Sequence, residues 1–245
     1  MNLRERASQR DPATRQDLGS MGGYPEFSDQ RRTEVEVERQ AGIYQKLGFH
    51  NHEKVGISAD RLKDLIMGAV PKLQEIPHWR FDIPLVVFGQ IPVAEQAELT
   101  GAIYNDIPTE ERALISDWQQ DLEGYKTPES LYVTWIADGG FCMGRTVESI
   151  RKILLERSHE RRGATLHDGM GLLIVHPEIF CPVLSRSVHG VDLPGTEVGP
   201  NQAPSVQLDA YGEDLSIEVH NIDVVNPNSG SASCVRKMII LPIAA

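Results

Sequence analysis

Hydrophobic positions in the first two thirds of the chain follow a helical period, broken by two short apolar runs. Val37, Ala41 and Tyr44 recur at helical spacing in 28–47, and Glu34, Glu36, Glu38 and Arg39 supply a wet face. The pattern predicts an amphipathic helix that Gly48 stops. A second helix starts after Ser58, a good N-cap, with Asp60 at the positive end of the helix dipole. Its stripe is Leu62, Leu65, Ile66, Ala69 and Leu73, with Pro71 read as its end. Ile83, Leu85, Val86, Val87 and Phe88 form a continuous apolar run between Pro77 and Pro92, which predicts a buried strand. Pro108 and Thr109 open a further predicted helix, with Leu114, Ile115, Trp118 and Leu122 on one face and Gly124 at its close. Leu131–Ala137 reads as a second buried strand leading into the turn Asp138-Gly139-Gly140.

Thr146 caps the next predicted helix, with Val147, Ile150 and Leu154 inward. Arg157, Arg161 and Arg162 give it a basic end before Gly163, matching the negative helix C-terminus. Thr165 and Asp168 are spaced as a capping box, and Leu166, Met170, Leu173 and Ile174 continue the helix until His176 and Pro177 stop it. After Cys181 the composition shifts to loops rich in Gly, Pro, Asn and Ser, separating β-like runs at 205–208, 215–220 and 235–243. Leu215, Ser216, Ile217, Glu218, Val219 and His220 alternate with period two, so one face is buried and the other wet. The expected class is α+β: a helix-rich first two thirds with two buried strands, then an antiparallel β-rich C-terminal third. Residues 1–30 carry almost no large aliphatic side chains and are expected to form a disordered tail, leaving 31–245 as a single domain.

Composition narrows the function. Of the 245 residues, 40% are hydrophobic, enough for a sizeable core. Thirty-five acidic against 24 basic residues leave a net charge of −11, which repels polyphosphate and argues against nucleic-acid binding. No apolar run approaches the roughly 20 residues of a spanning helix. The opening MNLRERASQR lacks the apolar stretch of a secretory signal. A soluble, cytoplasmic protein without membrane contact is expected. Cys142, Cys181 and Cys234 are odd in number and far apart, with no C-x-x-C. They indicate neither a disulfide framework nor a cysteine zinc site, and free cysteines of this kind behave as small buried hydrophobes.

The common catalytic and nucleotide signatures are missing: there is no G-x-x-x-x-G-K-[ST], no complete G-x-G-x-x-G, no G-x-S-x-G and no H-E-x-x-H. No cofactor is indicated. His50 and His52 are the tightest imidazole pair, and in an extended segment both rings would share one side, where His78 or Asp82 could complete a metal site. The bland reading is a polar loop between two helices. In Pro77-His78-Trp79-Arg80-Phe81-Asp82, Arg80 is suited to a carboxylate or phosphate, with Trp79 as a stacking plate, unless both serve packing beside the strand. The other dense polar segment is 226–236, where Asn226, Ser231, Ser233 and Arg236 are the ligand-binding candidates; the same residue types also make ordinary turns.

Several segments together resemble an uncharacterised bacterial family catalogued only as a domain of unknown function. They are Leu47-Gly48-Phe49 before Gly56-Ile-Ser-Ala-Asp-Arg-Leu62, the strand beginning Ile83-Pro-Leu-Val-Val87, the stretch Gly163-Ala-Thr-Leu-His-Asp-Gly-Met-Gly-Leu-Leu-Ile-Val-His-Pro-Glu178, and the asparagine-proline, serine-alanine segment from Asn226 to Arg236. The resemblance spans about Glu36 to Arg236, with little in 181–223, and implies one continuous cytoplasmic domain but no activity. The function expected from the residues is non-catalytic binding of a small molecule or a protein, with a homo-oligomer possible through the 28–47 helix. The alternative is a metal-assisted hydrolase using His50 and His52.

Overall fold

The computed structural model describes residues 30–78, 83–101, 103–105, 115–117, 128–180, 190–208, 214–227 and 229–243. Its helices are α1 (Gln30–Lys46), α2 (Ala59–Gly68), α3 (Val70–Gln74), α4 (Val93–Thr100), α5 (Val147–Glu156), α6 (Leu166–Val175) and α7 (Pro177–Phe180). Its strands are β1 (Ile83–Phe88), β2 (Ile103–Asn105), β3 (Ile115–Asp117), β4 (Leu131–Ala137), β5 (Arg161–Gly163), β6 (Gly190–Asp192), β7 (Thr196–Val198), β8 (Gln202–Leu208), β9 (Asp214–Asn221), β10 (Ser229–Ser231), β11 (Ser233–Val235) and β12 (Ile239–Leu241). The fold is α+β. None of these helices is long and apolar enough to cross a membrane.

One sheet runs β1-β4-β11-β5 with all of those pairs antiparallel, and β12 lies beside β11 along the same edge of β4. A second runs β10-β6-β8-β9-β2, antiparallel in its centre and parallel at its two ends. Between them lies α6, in contact with both β1 and β8. Apart from His167, every residue of this helix is buried, which fits its nearly continuous apolar sequence.

Its entry is fixed by one carboxylate. Among the described residues Asp168 accepts five hydrogen bonds: two from Arg162, at 2.5 and 2.9 Å, one from Tyr132 Oη, and two from the backbone and hydroxyl of Thr165. The Thr165–Asp168 capping box is thus present and also joined to β4 and β5. Burial alone pushes the Asp168 carboxyl up; Arg162 and the Thr165 donors overcome this and hold it below its ordinary range.

The outer edge of β1 is closed by side chains of α1 in place of another strand. Gln40 Nε2 donates to Pro84 O at 2.6 Å, Val86 N donates to Gln40 Oε1 at 3.0 Å, and Tyr44 Oη donates to Val86 O at 2.8 Å. Residues four apart share a helix face, so Gln40 and Tyr44 form two rungs along the strand and leave it no open edge there. Tyr44 also packs with Phe49 and Phe88, all ring centroids 4.7–4.9 Å apart.

Several expectations are corrected. Glu36, assigned to the wet face of α1, is buried. Pro71 lies in the first turn of α3, where its missing N–H has no helical partner to lose, and α2 ends before it at Gly68. Ile115, Ser116 and Asp117, expected in a helix, lie in β3, because antiparallel pairing with β7 overrides the local spacing; the rest of that predicted helix lies outside the described residues. Arg161 and Arg162 belong to β5 rather than to a helix end, which Glu156 reaches first. The first two thirds hold more strands than the two foreseen, and α4 was not foreseen. The expected tail falls on residues 1–29, outside those described, and Gln30 already lies in α1.

Gln40→Leu removes both amide rungs and leaves the Val86 N–H and the Pro84 carbonyl without their partners, so urea unfolding should show a loss of about 2 kcal/mol. Asp168→Asn, which strips Arg162 of its charge partner in the core, should cost about 3–5 kcal/mol in the same measurement.

Candidate functional site

Two further groups of buried polar side chains differ in whether their hydrogen bonds are complete. The first surrounds His176, at the end of α6. Its Nε2 lies 3.1 Å from Glu36 Oε1 and its Nδ1 3.0 Å from Glu178 Oε1. Arg39 holds Glu36 through Nε and Nη2 and donates to Val175 O, while Gln40 donates to Glu36. Burial raises the Glu36 carboxyl, yet Arg39 and His176 together bring it well below the usual carboxylate range. These contacts fasten α1 to the end of α6, and their structural use is complete.

The second group lies on one face of the second sheet. Alternation along each strand puts Val191, Val206, Leu215 and Ile217 in the core, and cross-strand partners share a face. The opposite face therefore carries Ser229 and Ser231 of β10, Gly190 and Asp192 of β6, Ala203, Ser205 and Gln207 of β8, and Ser216, Glu218 and His220 of β9. Asp192 is the direct partner of Ser231 on one side and Ser205 on the other, and Ser205 is in turn the partner of Glu218. The row descends from an exposed rim, where the Glu218 side chain is 50% and the His220 side chain 32% accessible, to a floor where Ser205, Ser231 and Asp192 are 0%, 1% and 5% exposed.

That floor is not satisfied internally. Among the described residues, Ser205 Oγ, Ser231 Oγ and His220 Nε2 make no hydrogen bond, although all three atoms are buried. His220 Nε2 lies 3.5 Å from Glu218 Oε2 without forming one. Burial pushes the Asp192 carboxyl up to about 6, against the smaller opposing influences of the Ser205 hydroxyl, which acts on the carboxyl without meeting full hydrogen-bond geometry, and of the His220 ring. Two glycine positions shape the row. A Cβ on Gly190 would lie 2.9 Å from Ser229 Oγ and 3.1 Å from Ser205 Oγ, so the bare Cα lets these hydroxyls close over β6. On the core side, Gly230 meets the Asp138-Gly139-Gly140 turn so closely that a Cβ would stand 2.3 Å from Gly139 O.

Of the candidates read from the sequence, Ser231 lies in this row. Ser233 is half-buried in β11, of the other sheet, and Asn226 lies in the turn before β10, where its carbonyl accepts from Ser229 N. Arg236 donates to Ser158 O at 2.6 Å, bracing the turn after α5. Trp79, Arg80 and Asp82 lie outside the described residues. His50 falls in a 3-10 turn, Phe49–Asn51, rather than in an extended segment, and His52 pairs with Glu95 at 2.7 Å. His78 stacks on Trp135, with centroids 4.0 Å apart. Among the described residues no group of three or more His, Cys, Asp or Glu is placed to hold a metal ion. Cys234 is buried and burial raises its thiol, Cys142 is half-buried, and Cys181 is not described. The sequence pattern marks the wet face of β9 but neither Asp192 nor Ser205. No family model, curated protein or solved structure matches the chain.

The two carboxylates give opposite pH dependences. Glu36, depressed in the fold, contributes stability above its unfolded value near 4.5 that is lost as the pH falls. Asp192, raised to about 6 from 3.8, contributes stability below 3.8 that is lost as the pH rises through 6. Asp192→Asn should therefore flatten the dependence between pH 4 and 6 and stabilise the protein at pH 7 by on the order of 2 kcal/mol, read from urea titrations across that range.

Proposed function

We propose that this chain is a cytoplasmic, non-catalytic protein that binds a small polar molecule on the polar face of the second sheet. One observation carries the reading: two buried serine hydroxyls without hydrogen-bond partners among the described residues flank a buried aspartate. Buried polar groups are paired in native proteins by protein, water or ligand, and leaving a hydroxyl unpaired costs free energy. A carboxyl displaced upward by burial beside such hydroxyls is consistent with a binding site.

Geometry favours binding over catalysis. A serine nucleophile requires its base within hydrogen-bond reach, whereas Ser205 Oγ and His220 Nε2 each make no hydrogen bond among the described residues. The metal-assisted alternative loses support from the engagement of His52 with Glu95.

The test uses the double variant Ser205→Ala/Ser231→Ala, compared with wild type by urea unfolding and by native mass spectrometry of freshly purified protein. Unpartnered hydroxyls contribute no hydrogen bond to the fold, so the variant should unfold within about 1 kcal/mol of wild type, or above it. A small-molecule mass retained by wild type should be missing from the variant. A loss of more than about 2 kcal/mol would show the hydroxyls to be structural and end the reading.

A further inference from the structure

We propose that the ligand carries a primary ammonium group, seated on Asp192 between Ser205 and Ser231. The inference rests on the binding reading above and adds the chemical class of the ligand.

The three residues occupy one row across adjacent strands β10, β6 and β8, with the carboxylate in the middle. Strands lie about 4.8 Å apart, so Ser231 and Ser205 stand on the two sides of Asp192, and the Ser205 hydroxyl is near enough to act on the carboxyl. An ammonium head has three N–H donors and no acceptor. One donor meets Asp192 and one meets each serine oxygen, whose own hydrogen rotates away. Two buried hydroxyl oxygens without hydrogen bonds among the described residues, flanking an anion, match that donor set.

Charge separates this class from its rivals. The four strands β6, β8, β9 and β10 carry no lysine or arginine. An anionic ligand would bring a second negative charge to a buried carboxylate that these four strands match with no lysine or arginine. A neutral polyol would satisfy the serines but leave the charge of Asp192 uncompensated at neutral pH. A cation supplies both the counter-charge and the hydrogen bonds. The titratable groups facing this part of the sheet from β9 are Glu218 and His220, at the exposed rim, and the Glu218 carboxylate draws a cation toward the row.

The experiment titrates the full chain at pH 7.5 with n-butylammonium chloride, tetramethylammonium chloride and glycerol, followed by thermal unfolding and calorimetry. Tetramethylammonium has the charge without N–H donors, and glycerol has donors without the charge. Only butylammonium should raise the midpoint, by mass action on the folded state. Its affinity should fall at least tenfold in Asp192→Asn. It should fall several-fold in Ser231→Ala, which leaves the charge in place. Equal binding of tetramethylammonium would reduce the site to a nonspecific cation attractor and overturn the proposal. Glycerol binding lost in Ser205→Ala, with no response to butylammonium, would overturn the ammonium class and leave the binding site standing. Silence of all three probes, together with a structural loss in Ser205→Ala/Ser231→Ala, would bring down both.

Discussion

A carboxylate buried at the start of α6 sets the geometry on which the two sheets depend. Asp168 binds the Arg162 guanidinium of β5, the Tyr132 hydroxyl of β4 and the N-cap groups of its own helix. Those donors come from three elements, so satisfying one charge ties the helix to the first sheet. The second sheet then packs on the far side of the same helix, through Leu193 against Gly169 and through β8. Arg162 has 1% exposure and Asp168 none; such a pair is stable only when nearly all of its lone pairs and N–H groups find partners, and the capping box supplies the ones Arg162 does not.

Helix α1 solves a different problem by similar means. A sheet that ends in a fully buried strand exposes backbone groups to a place where water cannot reach them, and β1 is buried along its whole length. The Gln40 amide presents a donor and an acceptor in the arrangement a neighbouring strand would offer, and Tyr44 completes the next rung. Glu36, one turn earlier, receives Gln40, Arg39 and His176, so the same helix stripe joins the strand edge to the end of α6.

Much of this was legible in sequence where the determinant is local. The Ser58, Thr146 and Thr165 caps, the apolar runs of β1 and β4 and the alternation of β9 all follow from neighbours a few residues apart, and each forms as expected. Local reasoning fails where a distant partner decides. Glu36 reads as solvated because His176, 140 positions away, gives no local signal, and Arg162 reads as a helix terminus because pairing with β11 makes it a strand. The polar row failed for the same reason: β9 showed a wet face, but β6 is three residues long, and only register reveals that Ser231, Asp192 and Ser205 stand side by side. Ser231 entered the candidate set through a turn-like composition that also swept in Arg236, a structural brace.

The buried carboxylates Asp168, Glu36 and Asp192 lie within one fold and are displaced in opposite directions. Desolvation pushes each of them up, so the direction that remains depends on what the fold supplies in return. Asp168 and Glu36 receive an arginine and several donors and end below their ordinary range, which makes them contributors to stability at neutral pH. Asp192 receives only the Ser205 hydroxyl and the His220 ring, which do not outweigh burial, so it ends above its range and opposes folding at the same pH. Asp168 and Glu36 each pair with an arginine, whereas the strands around Asp192 carry none. The unfinished hydroxyls beside Asp192 are therefore better understood as half of an interaction whose other half arrives with a ligand than as a fault in packing.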